Sequence, residues 1–469
     1  MITEEIQTQF LAENLEFLDS QMLLTPSFND QVGFDFQGLR RSFKHNPAHP
    51  DSRAVAEFGR IWIYDAALSI YADLKAGRIR QAGNQAGRIL QLALQEEAKG
   101  FQGLWHFSYN TQGDTFIDPR GPAGANCWAL NALYSYALVK GDTSLIQWAN
   151  KAVRGYLFGL QVMDLKDPRY GLIRAGLYNA DEVKDENSMG YKVYEGNLNA
   201  RYEHVILEHC IDAIGTLRLA SRATRKFIPG QEDFLAELAH RHDLLMQASR
   251  RGFWKNGHFI SALDPQAKPY TGTDGQPSVA VDNNTWAAYV FLPYDAEMAA
   301  SAARFVEDQF LIRVPPAYVE DAKHEPPAGM EGLYFFRATF EDPFVRVPPE
   351  FRPKMEQLFQ PEAAFGFVLF LMSLSREMSD PREKTRLESR AYEIYGHTVK
   401  LLRLYGRTAA PYASANVPMI FSTLSCMATA TSAAIATALL SGASNGDFIG
   451  VTPPKEFTVA GQAPRTACE

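Results

Sequence analysis

The chain has 469 residues, of which 46% are hydrophobic and 21% are charged, so it can bury a large core. Its formal net charge of −8 excludes the basic surface on which nucleic-acid binding depends. The four cysteines lie too far apart for a zinc motif or a disulfide scaffold, and no phosphate-binding glycine loop or dinucleotide motif occurs. We therefore expect no nucleic-acid partner, no metal and no cofactor.

The chain begins with an acidic, amphipathic segment, residues 1–17, which lacks the basic and apolar regions of a signal peptide. We expect a cytoplasmic protein, unless a leader has been removed. Residues 408–446 carry no charged side chain, but Pro411 and Pro418 interrupt them and small polar residues are frequent. This segment favours a buried helix over a membrane span, so no membrane partner is expected.

Two kinds of predicted helix alternate along the chain. Helices of the first kind are amphipathic and charged, whereas those of the second kind are apolar nearly all round. Starting with the charged kind, the predicted helices cover residues 3–20, 60–75, 79–98, 124–139, 143–161, 204–221, 232–250, 281–292, 296–311, 361–375, 381–404 and 418–441.

This alternation predicts two concentric layers, because an inner helix is covered on both sides and an outer helix shows one face to water. We therefore predict an all-α fold, an (α/α)6 barrel or six-hairpin toroid, as one domain over residues 1–442. Long loops and strand-like stretches such as 253–264 predict short β-hairpins at one mouth of the barrel. Residues 443–469 show little helical pattern and predict an extended C-terminal tail.

Polar side chains stand near the starts of the apolar helices. Because the inner helices of a toroid run parallel, their starts converge at one end of the barrel and gather these side chains in one funnel. A group of carboxyls suits the cleavage of a glycosidic bond, in which one acid protonates the leaving oxygen and another acts as base or nucleophile. The residues concerned are Asp65, Asn126, Glu208, Asp212, Asp282 and Glu362.

Within this funnel Glu208 is the predicted general acid, because an apolar helix raises the pKa of a carboxyl. Asp282 is the predicted base, with Asp65 as the alternative. Structural explanations remain open for each acid, as a helix cap, a solvated stripe or an ordinary first turn. Aromatic side chains would pack against the apolar faces of a carbohydrate substrate. The predicted substrate-binding residues are Trp105, Asn126, Trp128, Tyr194, His209, Asp212, Trp254, Trp286 and Glu362.

Five segments, in order, resemble the bacterial six-hairpin glycosidase-like proteins, a branch of the (α/α)6 glycoside hydrolases. YDAAL, at residue 64, is similar to that group's Tyr-Asp-Gln-Ala-Leu segment, and GANCW, at 124, is similar to its Gly-Ala-Asn-x-Trp segment. LEHCID, at 207, is similar to its Thr-Glu-His-Asn-Ile-Asp segment, and VDNNTW, at 281, is similar to its Asp-x-x-Thr-Trp segment. PEAAFG, at 361, is similar to its Glu-Gly-Thr-Ala segment.

The resemblance covers roughly residues 60–440 and implies a carbohydrate-active role on a glucan or exopolysaccharide. The polar residues that match are Asp65, Glu208, His209, Asp212 and Asp282. Cys210 stands where the group has Asn, and Ala66 stands where it has Gln. These departures leave open a member of the group that binds glycans without cleaving them.

A second class of enzyme is a sugar isomerase or epimerase of the same toroid class, in which a histidine would act as acid or base. The available histidines are His106, His204, His209 and His258. A non-catalytic glycan-binding or assembly protein is the third interpretation, since it needs the aromatic mouth but not the acids.

Overall fold

A computed structural model describes residues 4–28, 33–45, 59–98, 104–112, 116–178, 180, 183–184, 191–192, 198, 200–272, 274–319, 324–334, 352–405, 413–414 and 426–441. These ranges contain twelve helices of ten residues or more. They are α1 Glu4–Ser20, α2 Ile63–Lys75, α3 Ile79–Ala98, α4 Ala123–Lys140, α5 Thr143–Ala152, α6 Leu207–Phe227, α7 Glu232–Phe253, α8 Val281–Phe291, α9 Ala296–Phe310, α10 Pro361–Glu377, α11 Pro381–Leu404 and α12 Thr429–Ser441.

The helices form two rings. The even-numbered helices pack each against the next, and α12 packs against α2, which closes an inner ring of six. Each odd-numbered helix packs outside this ring as the second arm of a hairpin, except that α1 pairs with α12. The described chain is therefore an (α/α)6 toroid, as predicted.

The inner and outer helices differ in burial as their sequences indicate. In α4 every residue from Ala123 to Tyr134 is buried, because neighbouring helices cover it on both sides. In α11 the buried residues recur every three or four positions, at Leu387, Ala391 and Ile394, so one stripe faces the inner ring.

Some predicted helix ends are wrong by a few residues. Residues 60–62 and 205–206 are strands rather than first helical turns, and the last inner helix begins at Thr429 rather than at 418. Shorter helical pieces are Val153–Leu157 (a π-helix) and Phe158–Leu160, which prolong α5, together with Pro316–Tyr318 (a 3-10 helix) and Arg352–Met355.

Short antiparallel strands precede the inner helices. The strands are β1 Phe43–His45, β2 Arg60–Trp62, β3 Ser108–Asn110, β4 Phe116–Ile117, β5 Gly121–Pro122, β6 Gly176–Tyr178, β7 Val183–Lys184, β8 Tyr191–Lys192, β9 Ala200–Arg201, β10 Val205–Ile206, β11 Trp254–Lys255, β12 His258–Phe259, β13 Ala262–Leu263, β14 Leu311–Arg313, β15 Glu331–Leu333 and β16 Cys426–Ala428. They form the pairs and sheets β1–β16, β2–β3, β4–β8–β7, β5–β6–β9, β10–β13, β11–β12 and β14–β15. Four of them, β2, β5, β10 and β16, lead into α2, α4, α6 and α12 with no intervening residue, so the small sheets lie at the end of the barrel where inner helices start.

A buried asparagine fastens α8 to the hairpin in front of it. Asn284, the fourth residue of α8, donates from Nδ2 to the carbonyls of Phe259 (2.9 Å) and Ala280 (3.2 Å). Its Oδ1 accepts from the backbone N–H of Phe259 at 2.8 Å. One side chain therefore satisfies backbone groups that would otherwise be buried without partners.

The same arrangement recurs at the fourth residue of α4. Asn126 donates to the carbonyls of Trp105 (3.2 Å) and Pro122 (3.0 Å) and accepts from the backbone N–H of Trp105 at 3.1 Å. Because backbone partners occupy this amide, we assign Asn126 a structural role instead of the predicted substrate-binding one. Cys210 is the fourth residue of α6, and its thiol donates to the carbonyl of Ile173 at 3.8 Å. It therefore holds the fastening position and removes no amide from the funnel.

No helix in the described ranges combines the length and the apolarity that crossing a bilayer requires. The predicted tail, residues 443–469, lies outside the described residues, so the domain boundary at 442 stays a prediction.

Replacement of Asn284 by Ala should lower the free energy of unfolding by about 2–4 kcal/mol, because it leaves buried backbone groups unpaired. Urea unfolding followed by circular dichroism would measure the loss. Gln95→Ala, at an exposed position of α3, is the matched control and should stay within about 0.5 kcal/mol of the parent. Equal effects of the two substitutions would contradict the fastening role.

Candidate active site

The second residues of the inner helices form one level of the barrel. In α2, α4, α6, α8 and α10 these residues are Tyr64, Gly124, Glu208, Asp282 and Glu362. Each helix starts after extended backbone, and the residue before it makes no side-chain cap. The acids therefore lie inside the helices and not at the N-cap position, and Asp282 Oδ1 accepts the backbone N–H of its neighbour Asn283 at 2.6 Å.

Tyr64, on α2, responds to the charges of the acids on other inner helices. Burial raises the pKa of its phenol well above 10, and the charges of Glu208, Glu362, Asp212 and Asp282 raise it further, in that order. Because all four carboxylates shift the pKa of this phenol, it lies within electrostatic range of each of them. The structure therefore brings these predicted residues together, and we call them, with Asp65, the acid ring.

Glu362 is the member of the acid ring with the clearest protonation state. Burial raises the pKa of its carboxyl from 4.5 to about 8, and the charges of Asp65 and Asp282 contribute to the rise. A helix N-terminus favours a carboxylate by about 0.3–1 kcal/mol, which is less than the roughly 1.4 kcal/mol of one pKa unit. Desolvation and like charge therefore prevail, and Glu362 holds its proton at neutral pH.

Asp212 lies one turn below Glu208 on α6 and is only 5% exposed. Burial raises its pKa well above 3.8, the Trp128 side chain lowers it as a hydrogen-bond donor, and the charge of Asp282 raises it. The charge of Asp282 thus raises the pKa of both Asp212 and Glu362, so Asp282 lies within electrostatic range of both.

Aromatic side chains line the level below the acid ring. Trp128 and Trp286 are the sixth residues of α4 and α8, four residues after the acid-ring level and so on the same helix face. The Trp128 ring lies 5.1 Å from the Tyr64 ring. Gly366 makes room for Trp286, since a Cβ there would lie 3.3 Å from the indole. Trp286 is partly exposed and keeps its predicted substrate-binding role as a prediction. Trp128 is only 2% exposed and hydrogen-bonds Asp212, so it supports the acid ring and has no free face for a sugar.

His209 borders the same space. Burial lowers the pKa of its imidazole to about 3, and the charge of His204 lowers it further, whereas a hydrogen bond that the imidazole donates to the backbone carbonyl of Ala175 raises it. The imidazole is therefore neutral at neutral pH. An acid–base group works best when its pKa is near the working pH, so His209 is poorly matched to proton abstraction.

Two other histidines considered for acid–base chemistry make structural contacts. His106 is 1% exposed, and its Nδ1 lies 2.8 Å from the carbonyl of Pro119. His258 stacks on the ring of Phe305 at 4.0 Å. In the described residues, no group of three or more His, Cys, Asp or Glu side chains is arranged to hold a metal ion.

Several predicted substrate-binding residues lie elsewhere. Trp105 is fully buried and donates from its indole N–H to the carbonyl of Ile89 at 3.0 Å, so it has no free face for a sugar. Trp254 follows α7 in the outer ring and packs on Phe259 at 4.8 Å. Tyr194 lies outside the described residues.

Sequence reasoning missed Tyr64 and Gly124. A Cβ on Gly124 would lie 2.6 Å from His209 Cδ2 and 2.8 Å from Asp212 Oδ2, so the glycine gives these side chains their space. The signal that could have found both is register, because they hold the same position in their helices as Glu208 and Asp282.

Replacement of Glu362 by Gln should remove a pH-dependent loss of stability. Between pH 4.5 and about 8 the unfolded chain has lost this proton while the folded chain retains it. Stability is therefore greatest at the low end and falls as pH rises. At pH 8 the variant should exceed the parent by on the order of 1–3 kcal/mol, measured as thermal unfolding from pH 5 to 9. Parallel curves for the two proteins would contradict the raised pKa.

Replacement of Gly124 by Ala should destabilise the protein by about 1–3 kcal/mol, because the new methyl group overlaps His209 and Asp212. Gly87→Ala is the matched control, since the space around this outer-helix glycine is open. The control should be neutral or gain up to about 1 kcal/mol from helix propensity. A gain for both variants in chemical unfolding would show that position 124 does not border a packed site.

Comparisons by sequence find no protein-family model that matches the chain and no matching curated protein. Solved structures do match it. The cellobiose 2-epimerase from Bacillus thermoamylovorans B4167 is similar with a TM-score of 0.58 and 10% identity, over 92% of this chain and 99% of that one. A D-mannose isomerase gives 0.56 and 10%, over 94% and 98%. The cellobiose 2-epimerase from Spirochaeta thermophila DSM 6192 gives 0.53 and 11%, over 93% and 96%. The chain therefore has the (α/α)6 toroid fold, as its resemblance to six-hairpin glycosidase-like proteins implied.

Proposed function

We propose that this protein is a carbohydrate-active enzyme, a glycoside hydrolase that cleaves a poly- or oligosaccharide in the funnel. The observation that carries the proposal is the grouping of Glu362 with Asp65 and Asp282, in which burial and the two neighbouring charges raise the pKa of Glu362 to about 8. Glycosidic cleavage needs one carboxyl that holds a proton and one that has lost it, on either side of the scissile bond. Environments that push the pKa values of neighbouring carboxyls apart are how such pairs arise.

The roles follow from the charges. Glu362 protonates the leaving oxygen, and Asp282, whose charge raises the pKa of both Glu362 and Asp212, acts as base or nucleophile. Glu208, the general acid predicted from sequence, is the alternative proton donor on the other side of Tyr64, and Asp65 is the alternative base. Trp286 would offer aromatic surface to the sugar, with His209 and Asp212 as hydrogen-bonding neighbours.

A sugar is the substrate class best supported. The structures of similar fold are, by name, epimerases of cellobiose and an isomerase of mannose. The funnel combines indole faces, which pack against sugar rings, with several hydrogen-bonding carboxyls. A ring of acids disfavours an anionic substrate, so a neutral glycan is the expected one.

The names of these structures, two cellobiose epimerases and a mannose isomerase, favour a second candidate function, that of a sugar isomerase or epimerase. That reaction requires a base that removes a proton from carbon next to a carbonyl group. His209, whose pKa is about 3, is a weak base at neutral pH, and His106 and His258 are held by contacts away from the acid ring. The carboxyl chemistry therefore supports hydrolysis better.

The test is release of reducing ends from a panel of glucans, mannans and exopolysaccharides. Glu362→Gln and Asp282→Asn should each lower the rate by roughly 10²–10⁴-fold. Glu297→Gln, at an exposed position of α9, is the matched control and should keep the parental rate.

The products distinguish the candidates. Interconversion of a free sugar without chain cleavage, followed by NMR of the same incubations, would replace hydrolysis by isomerisation. Glycan binding with neither reaction, unchanged in the Glu362, Asp282 and Asp65 variants together, would identify a non-catalytic binding protein.

A further inference from the structure

A groove in the outer ring lies apart from the acid ring. It has a volume of about 410 Å³, within the range typical of small-molecule sites. Its wall is the last part of α7 with Arg250, Arg251 and Trp254, and its opposite side is the end of α8 and the turn after it, with Phe291 and Tyr294. Phe291 ends α8, whereas Asp282 of the acid ring is near its start, roughly 13 Å away along the helix axis.

Positive charge surrounds this groove, although the chain as a whole is acidic. Arg251 is exposed, donates one N–H to the carbonyl of Tyr170 at 3.2 Å, and makes no ion pair within the described part of the chain. Arg250 pairs with Asp295 at 2.8 Å. The ammonium of Lys255 lies 3.0 Å from the carbonyl of Arg251.

A buried guanidinium lies behind the floor of the groove. Arg218 is 1% exposed, lies 5.5 Å from the Tyr294 ring centroid, and donates to the sulfur of Met246, another lining residue, at 3.7 Å. It also donates to His242 at 3.0 Å, and the other nitrogen of that ring lies 3.0 Å from Asp243. The three guanidinium groups of Arg218, Arg250 and Arg251 thus face two carboxylates, Asp243 and Asp295, which leaves one positive charge in excess at the groove.

Aromatic surface completes the site. Trp254 and Tyr294 are each partly exposed, while Phe291 and Met246 are buried beneath them. A half-exposed indole and phenol beside guanidinium groups suit a ligand with one apolar face and one negatively charged group. A sugar acid has both features, and it differs from the neutral glycan that the acid ring favours.

We propose that this groove, which we call the arginine groove, binds a sugar carrying one carboxylate, such as a uronic acid. The ring packs on Trp254 and Tyr294, and Arg251 binds the carboxylate. The inference goes beyond the proposed function, because it concerns a second site of opposite charge and does not depend on which reaction the funnel performs.

The experiment is a ligand-observed NMR titration of the whole protein with sodium glucuronate, using glucose as the neutral probe. Glucuronate should saturate one site, and its affinity should fall in high salt, because salt screens the attraction between its carboxylate and the arginine groove. Arg251→Gln should weaken binding about tenfold, because it removes a charge-assisted hydrogen bond. Trp254→Phe keeps a ring and should weaken binding less than Trp254→Ala.

The controls separate this site from the funnel. Glu362→Gln should leave glucuronate binding unchanged, whereas it abolishes hydrolysis under the proposed function. Arg225→Gln, at an exposed position far along α6, should also leave it unchanged. The proposal would be overturned if Arg251→Gln left the affinity for glucuronate unchanged, if glucose bound as tightly as glucuronate, or if binding did not saturate. Loss of binding in Glu362→Gln would overturn it by placing the ligand in the funnel.

Discussion

The constraint on which the site depends is the repulsion among carboxyls that the toroid forces together. The charges of Glu208, Glu362, Asp212 and Asp282 all raise the pKa of the partly buried Tyr64 phenol. Several charges cannot share such a space without water, so burial and like charge keep a proton on Glu362 and raise the pKa of Asp212. A protonated acid beside an ionised one is thus a consequence of packing, and acid–base chemistry on a glycosidic bond is its proposed use.

The toroid produces this arrangement through register. Short strands lead directly into several inner helices, so those helices start at one end of the barrel and their second residues face one another. Asparagines at the fourth position of α4 and α8 fasten the preceding chain, which fixes where those helices begin. Gly124 and Gly366 then leave space that His209, Asp212 and Trp286 occupy. Successive levels of the barrel therefore hold the acids, the fastening amides and the aromatic floor.

Much of the fold could be predicted because burial on two sides and burial on one side leave different patterns in the chain. Because the inner helices of a toroid run parallel, the sequence could also predict that the acids near their starts gather at one end, namely Asp65, Glu208, Asp212, Asp282 and Glu362. Protonation could not be predicted, because it depends on distances between different helices. The sequence predicts Glu208 as the general acid, which stays a prediction, and gives no sign that the pKa of Glu362 is raised to about 8. The sequence predicts Trp105 and Trp254 as substrate-binding residues of the funnel, but Trp105 is buried in the core and Trp254 lines the outer-ring groove. The composition of a loop does not reveal which of these surroundings its tryptophan will have.

The most direct measurement is a pH titration of the Glu362 carboxyl by carbon-13 NMR in glutamate-labelled protein, with Glu362→Gln to assign the signal. The account predicts a midpoint near pH 8 that falls when Asp282 is replaced by Asn, because one of the two negative charges that raise it is gone. A midpoint near 4.5, or one that ignores Asp282→Asn, would contradict the claim that the acid ring holds a proton on Glu362.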